Sequence, residues 1–272
     1  MARKKGYTPP RPRKHINLWQ AYQWWCQLNE ISRKYKQRMK AIEAGKTTMD
    51  PVLETDLYET AEIKESLAMA KKVMIDYGKE LGPVWEWVTS IKGLGAGGLA
   101  AKLLARIDDI GRFETISKLW RYAGYAVIDG EIDRPRSRET RPYDARLKSV
   151  CWEIGEQFIR QRTPVYRDRY DEYKEEDRRE HPNVRCLNCG TEFPPTRDSC
   201  PKCKQTNEKY SLMYCRAHMN SRARRAAVKL FLSHLWVNWR KMEGLPITDP
   251  YVDDILGHTN IIPPPDLPDE DD

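Results

Sequence analysis

The sequence predicts a mainly α-helical fold: a long helical hairpin, then a helical domain containing a helix-hairpin-helix element, with a zinc ribbon inserted into it. Three observations carry this expectation. Apolar residues recur at helical spacing over most of the chain, a Lys92-Gly93-Leu94-Gly95 turn separates two short helical runs, and four cysteines stand as two Cys-x-x-Cys pairs.

At 272 residues, 40% hydrophobic and 32% charged, the chain is long enough to bury a core without disulfides and too apolar to be disordered. The formal net charge is +7, yet residues 263–272 hold five acids and no base, so the remainder is more basic still. A basic body fits a polyanionic partner through phosphate neutralisation, and equally a solvated charged surface. No run of about 18 apolar residues is present. The N-terminus is a basic, proline-punctuated arm without the apolar centre of a secretion signal. Three of the seven cysteines (Cys26, Cys151, Cys215) are dispersed, a usage that fits a reducing compartment. A cytoplasmic protein of a prokaryote or phage, with no membrane partner, is expected.

Residues 15–44 contain neither proline nor glycine, and Ile16, Trp19, Trp24, Leu28, Ile31, Tyr35, Met39 and Ile42 recur as one helical stripe. Gly45 to Pro51 supplies a stop, a turn and a proline start. The second helix carries Leu53, Leu57, Ile63, Leu67, Ala70, Met74, Tyr77 and Leu81 near a 3-4 repeat, so the pair can form an antiparallel coiled coil or zip two chains into a homodimer. Two ordinary bundle helices fit the same pattern. Beyond Gly82-Pro83 come a Trp-rich helix, the glycine turn, and an Ala/Leu-rich helix to Ile107; a short helix follows over 116–122. Two β-capable pieces flank Asp129-Gly130, a hairpin-turn pair. Helices are expected over 143–162, 164–180 and 211–243, then a proline-rich acidic tail. The domains are thus 1–14, a basic arm; 15–82, the helical hairpin; 83–183 with 208–245, the helix-hairpin-helix domain; 184–207, the zinc ribbon; and 246–272, the tail.

Cys186, Cys189, Cys200 and Cys203 give C-x2-C-x10-C-x2-C. Each pair presents two thiolates from one tight turn, and two such turns close a tetrahedron around Zn2+. Four thiolates leave no position for a water, so the expected zinc is structural, and it supplies folding free energy to a segment too short for its own core.

The orphan amides that open a helix, with its dipole, make an anion site. Lys92, Gly93, Leu94, Gly95 and Ala96 are therefore candidate phosphate contacts, with Lys102 nearby. A glycine turn that merely eases close packing of two helices uses the same residues. Arg134, Arg136, Arg138 and Arg141 form a second basic cluster, and Arg222, Arg224 and Arg225, with His218, a third. Three clusters on one chain favour a shared anionic surface over three solvated faces. Of the nine tryptophans, Trp85, Trp120, Trp152, Trp236 and Trp239 fall among aliphatics at helical spacing and are assigned to the core.

The run Ile91-Lys92-Gly93-Leu94-Gly95, then Leu103-Leu104-Ala105-Arg106-Ile107-Asp108-Asp109-Ile110-Gly111-Arg112-Phe113, then Leu119-Trp120-Arg121-Tyr122-Ala123-Gly124-Tyr125 resembles the C-terminal domain of the insertion-sequence 110/116/902 transposase family. The resemblance covers roughly residues 84–165 and, more loosely, 222–232. It implies action on DNA, a preceding RuvC-like nuclease domain with a DEDD acidic set, and a serine nucleophile shortly after the tyrosine-glycine stretch, which here falls on Ser137. Two departures accompany it. Upstream of residue 84 the chain reads as two helices with no βαβ alternation, so a standalone domain without the nuclease half is expected. Ser137 is flanked by arginines in place of the family's following glycine, and no histidine or lysine is placed near it in sequence to activate it.

The leading expectation is a DNA-binding protein, related to that domain, that grips the phosphate backbone of duplex or branched DNA. Its rivals are a serine recombinase component acting with a nuclease partner, and a helical oligomeric scaffold whose zinc ribbon binds protein. The leading expectation is non-enzymatic, and a catalytic chain would be a transposase or recombinase.

Overall fold

A computed structural model describes residues 13–48, 60–95, 98–128, 131–132, 143–206, 211–247 and 262–265. The fold is mainly α. In chain order the elements are α1 (Ile16–Glu43), α2 (Thr60–Lys79), α3 (Pro83–Ser90), α4 (Leu99–Ile107), a 3-10 turn (Ile110–Arg112), α5 (Ile116–Tyr122), β1 (Val127–Ile128), β2 (Glu131–Ile132), α6 (Ala145–Gln161), α7 (Tyr166–Glu180), β3 (Val184–Cys186), β4 (Glu192–Phe193), β5 (Leu212–Met213) and α8 (Arg216–Met242). The chain forms two compact units, Met1–Trp85 with Ala100–Ile110, and Glu86–Leu99 with Gly111–Asp272.

In the first unit α1 packs along α2. Leu18, Ala21 and Tyr22 of α1, Ala70 and Met74 of α2, and nearly all of α4 are buried. Small side chains let this happen: a Cβ on Gly78 would sit 2.4 Å from the Trp85 ring. The rest of the α1 stripe read from the sequence differs from expectation. Ile16, Trp24 and Ile31 are exposed, Ile31 by half, because the buried face turns on Leu18, Ala21 and Tyr22. Two guanidinium groups lie over the Trp19 ring, Arg13 at 3.7 Å and Arg106 at 4.8 Å from its centroid. Directly after α4, Asp108 takes a left-handed backbone (φ 66°). Its buried carboxylate accepts the amides of His15 at 3.0 Å and Lys14 at 3.3 Å, capping the entry to α1 from a residue 93 positions away.

The second unit is built on α8, which packs against α5, α6 and α7. Its buried stripe runs from Met219 through Ala223, Ala227, Phe231 and Leu235 to Trp239. Phe231 lies edge-on to Phe158 of α6 and Tyr166 of α7, and parallel to Trp87 of α3. Buried polar tips find partners as burial requires: Trp236 Nε1 donates to the Phe113 carbonyl at 2.7 Å, and Arg240 donates to the same oxygen at 3.1 Å. The pieces flanking Asp129-Gly130 pair antiparallel, Val127 with Ile132 and Ile128 with Glu131. The last helix starts at Arg216, later than the sequence pattern suggests, because Leu212–Met213 are drawn into a sheet with β3.

The Asp108 cap generates a stability prediction. Asp108→Ala removes the acceptor and leaves a side chain that disfavours positive φ, lowering stability by about 1–2 kcal/mol, whereas Asp108→Asn retains most of it. Urea unfolding monitored by tryptophan fluorescence measures both, and equal losses would contradict the capping role.

Candidate functional site

The cysteine centre is built from two copies of one backbone turn. In the first, the Gly190 amide donates to the Cys186 carbonyl (2.8 Å) and the Cys186 amide to Thr191 (3.0 Å). In the second, Lys204 donates to Cys200 (2.9 Å) and Cys200 to Gln205 (2.9 Å). The residue after each second cysteine is left-handed, Gly190 at φ 71° and Lys204 at φ 60°, which swings both thiols of a pair to one side. A three-stranded antiparallel sheet, ordered β4-β3-β5, supports the turns. Val184, Phe193 and Leu212 form a small core with the cysteines.

The four sulfurs lie within 4.8 Å of one another, Cys186 to Cys203 at 3.6 Å and Cys189 to Cys200 at 3.5 Å. A disulfide needs about 2.05 Å. A tetrahedron with 2.3 Å metal–sulfur bonds has sulfur–sulfur edges of about 3.8 Å. The arrangement is that of a four-thiolate metal cage. Its electrostatics are prepared for thiolates: the Thr191 hydroxyl, 3.2 Å from Cys189 Sγ, and the Thr191 amide pull that thiol down to about 6, and the Gln205 amide lowers Cys203. Desolvation pushes Cys186 the other way, up to about 11. Cys215 is a neighbour and not a ligand; its thiol faces the Leu212 carbonyl at 3.4 Å.

The glycine turn lies between α3 and α4. Leu94 is buried, its amide bonded to the Ile91 carbonyl, and the Thr163 hydroxyl donates to the Lys92 carbonyl at 2.9 Å. Both glycines have steric reasons. Gly93 is left-handed (φ 94°) and a Cβ there would come within 3.2 Å of Gln157; a Cβ on Gly95 would meet the Thr89 carbonyl at 2.8 Å. The Lys92 side chain is left exposed. Ala96 lies outside the described residues, as do Arg134, Arg136, Arg138, Arg141 and Ser137. Lys102, in the first unit, places its ammonium 4.3 Å over the Trp25 ring.

The α8 cluster is half-buried and engaged within the chain. Arg222 meets the buried carboxylate of Asp177 at 3.0 Å and the Tyr173 hydroxyl at 3.2 Å. Arg224 pairs with Glu156 and covers the Trp152 ring at 5.0 Å; Arg225 lies 5.4 Å over Tyr125. The Lys229 ammonium sits 4.0 Å over Trp120, and burial, with the Arg225 charge, lowers its pKa. His218 accepts the Tyr214 amide through Nδ1.

Sequence reasoning missed one feature here. Trp152, assigned to the core, is 50% exposed. At 100° per residue it stands about 140° from Leu147, off the stripe of Leu147, Val150, Cys151, Ile154 and Phe158, so the wheel position was the available signal. With Tyr143, Ala145, Lys148, Ser149 and Glu153 it lines an open recess, over whose edge the Lys148 ammonium stacks 4.1 Å from the Tyr143 ring.

Among the described residues no helix is long and apolar enough to cross a membrane. Comparison with curated proteins and with solved structures gives no match. Over residues 86–171, from within α3 through α6 into α7, the chain matches the Transposase IS116/IS110/IS902 family.

Proposed function

We propose that the chain is a DNA-binding protein related to the C-terminal domain of a mobile-element transposase, gripping the phosphate backbone of duplex or branched DNA with a structural zinc ion bracing its metal module. The observation that carries the reading is the transposase-family match over residues 86–171. That span contains the glycine turn with its exposed Lys92 and the Lys148–Trp152 recess. Lysines and helix-opening amides suit phosphate; an exposed indole beside a lysine suits an unpaired base, whose stacking is worth about 1–3 kcal/mol. In this reading α3, the turn and α4 act as the helix-hairpin-helix element. Zinc is favoured at the cage because four thiolates in tetrahedral spacing suit it and leave no open position for catalysis.

Gel-shift titration at two ionic strengths tests the nucleic-acid reading. Affinity should fall roughly tenfold or more between about 50 and 200 mM salt. Lys92→Glu should weaken binding about equally on all sequences, and Trp152→Ala should weaken single-stranded or branched substrates more than duplex. Absent or salt-insensitive binding would sink the reading.

The metal assignment has its own measurement. One equivalent of Co2+ should give thiolate charge-transfer absorption that Zn2+ displaces. Chelation or Cys200→Ser should abolish amide protection across β3, β4 and β5 while the helical circular dichroism persists. Protection unchanged without metal would remove the zinc from the proposal.

A further inference from the structure

Residues 262–265 lie against the second unit with two carbonyls taken up by buried side chains. Trp87 Nε1 donates to the Pro265 carbonyl at 3.0 Å, and His234 Nε2 to the Ile262 carbonyl at 2.8 Å. With the segment in place Trp87 is 1% exposed and His234 4%, so the two carbonyls are the partners that these N–H groups have in place of water. The Ile262 carbonyl can only accept, which puts the imidazole proton on Nε2 and leaves Nδ1 of the neutral ring to accept from the Tyr166 hydroxyl 3.1 Å away. Burial lowers the His234 pKa, against the opposing pull of the Ile262 carbonyl, and keeps the ring neutral at pH 7.

The spacing of the two accepted carbonyls is informative. A polyproline II helix repeats every three residues, so carbonyls i and i+3 leave it on the same side. Ile262 and Pro265 are three apart. Pro263, Pro264 and Pro265 have φ set by their rings, and residues 262, 263 and 264, each preceding a proline, are steered to the extended region. The segment is therefore pre-formed and loses little entropy on docking. Behind the donors stand Phe231, parallel to the Trp87 indole with centroids 6.3 Å apart, and Tyr166, stacked on Phe158 at 4.5 Å. Aromatic surface with an indole N–H aimed at a carbonyl is the chemistry by which proline-rich segments are held.

We propose that Trp87 and His234 form a binding site for polyproline-type peptides, two donors set one polyproline turn apart, and that its occupant is the chain's own residues 262–265. The acids from Asp266 onward then begin at a fixed point on the second unit. Neither donor lines the glycine turn or the Trp152 recess, and the measurement below reads the Trp87 indole and not nucleic-acid binding, so it can fail or succeed separately from that reading. A short tether gives the segment an effective concentration on the order of 1 mM, so a closed latch requires an intrinsic Kd below about 1 mM.

The test uses the full chain with Pro263, Pro264 and Pro265 each changed to Gly, which opens the latch without touching a core side chain; Pro264→Gly alone is the milder second variant. The readout is the Trp87 indole N–H resonance, assigned with Trp87→Phe. In the unaltered chain it should be shifted and slow to exchange, and in the triple variant exchange should be faster by about tenfold or more. A synthetic peptide of residues 258–268 should restore the original shift with a Kd below about 1 mM, while the same peptide with glycines for its prolines should not. No restoration by the proline peptide, or equal restoration by the glycine peptide, overturns the site. A doubled mass in solution that reverts to the single-chain value in the triple variant would place the tail in a second copy and overturn the occupant.

Discussion

The missing side chain at Gly155 sets how closely α6 and α8 approach, and the second unit is arranged around that approach. A Cβ there would lie 2.6 Å from Arg224 Cγ and 2.9 Å from Val228 Cγ2. Val228 is a stiff, fully buried neighbour, so a methyl group could be admitted only by moving a helix. The aliphatic stem of Arg224 fills the space instead and carries its guanidinium out over Trp152, which turns a helix contact into one edge of the candidate interface. About one turn further along the same two helices, Phe158 meets Phe231 at 5.4 Å between centroids. The floor behind Trp87 and His234 thus shares its geometry with the Arg224–Trp152 contact.

The metal module obeys a different constraint. Its core of Val184, Phe193 and Leu212 is small, and strands of two or three residues cannot hold themselves together. A metal closing the four thiolates would supply what the strands lack. The third strand, β5, runs into Tyr214 and Cys215, the residues that precede α8. The pairing of β5 with β3 therefore also sets where α8 can begin. Lys204 carries a left-handed backbone without being glycine, a strain of about 1–2 kcal/mol, and the turn's two hydrogen bonds, Lys204 to Cys200 and Cys200 to Gln205, hold it there.

What was legible in the sequence is what depends on short-range periodicity or fixed spacing. The two Cys-x-x-Cys pairs, the helical segments, the two-residue hairpin gap and the resemblance over residues 84–165 all have local signatures. Other features arise only when distant residues meet. Leu212–Met213 read as the start of a helix until β3 offers them hydrogen bonds, and the proline-rich tail reads as an extended end until Trp87 and His234 supply donors. The α1 stripe misled for a related reason: Ile16, Trp24 and Ile31 are as apolar as Leu18 and Tyr22, and only the packing in the first unit selects which face is covered. Trp152 was open to a finer reading, since the wheel of α6 already excludes it from the buried stripe.

Charge alone is a poor guide to where an anion would bind on this chain. Arg222 and Arg224 are both cationic, yet each faces a carboxylate, Asp177 and Glu156, and the field that remains for a phosphate is that of a partly neutralised pair. The Asp177 pair is the more committed of the two. Its carboxylate is buried, so withdrawing Arg222 would leave an uncompensated charge inside the protein, a far larger cost than a surface contact could return. The Glu156 pair is partly exposed and exchanges more cheaply with solvent or with a ligand oxygen. Lys92 is different again: its backbone carbonyl is pinned by Thr163 while its side chain is exposed, so the ammonium is presented from a rigid base. Lys92 thus stands exposed on a fixed turn, whereas the arginines of α8 already face partners within the fold.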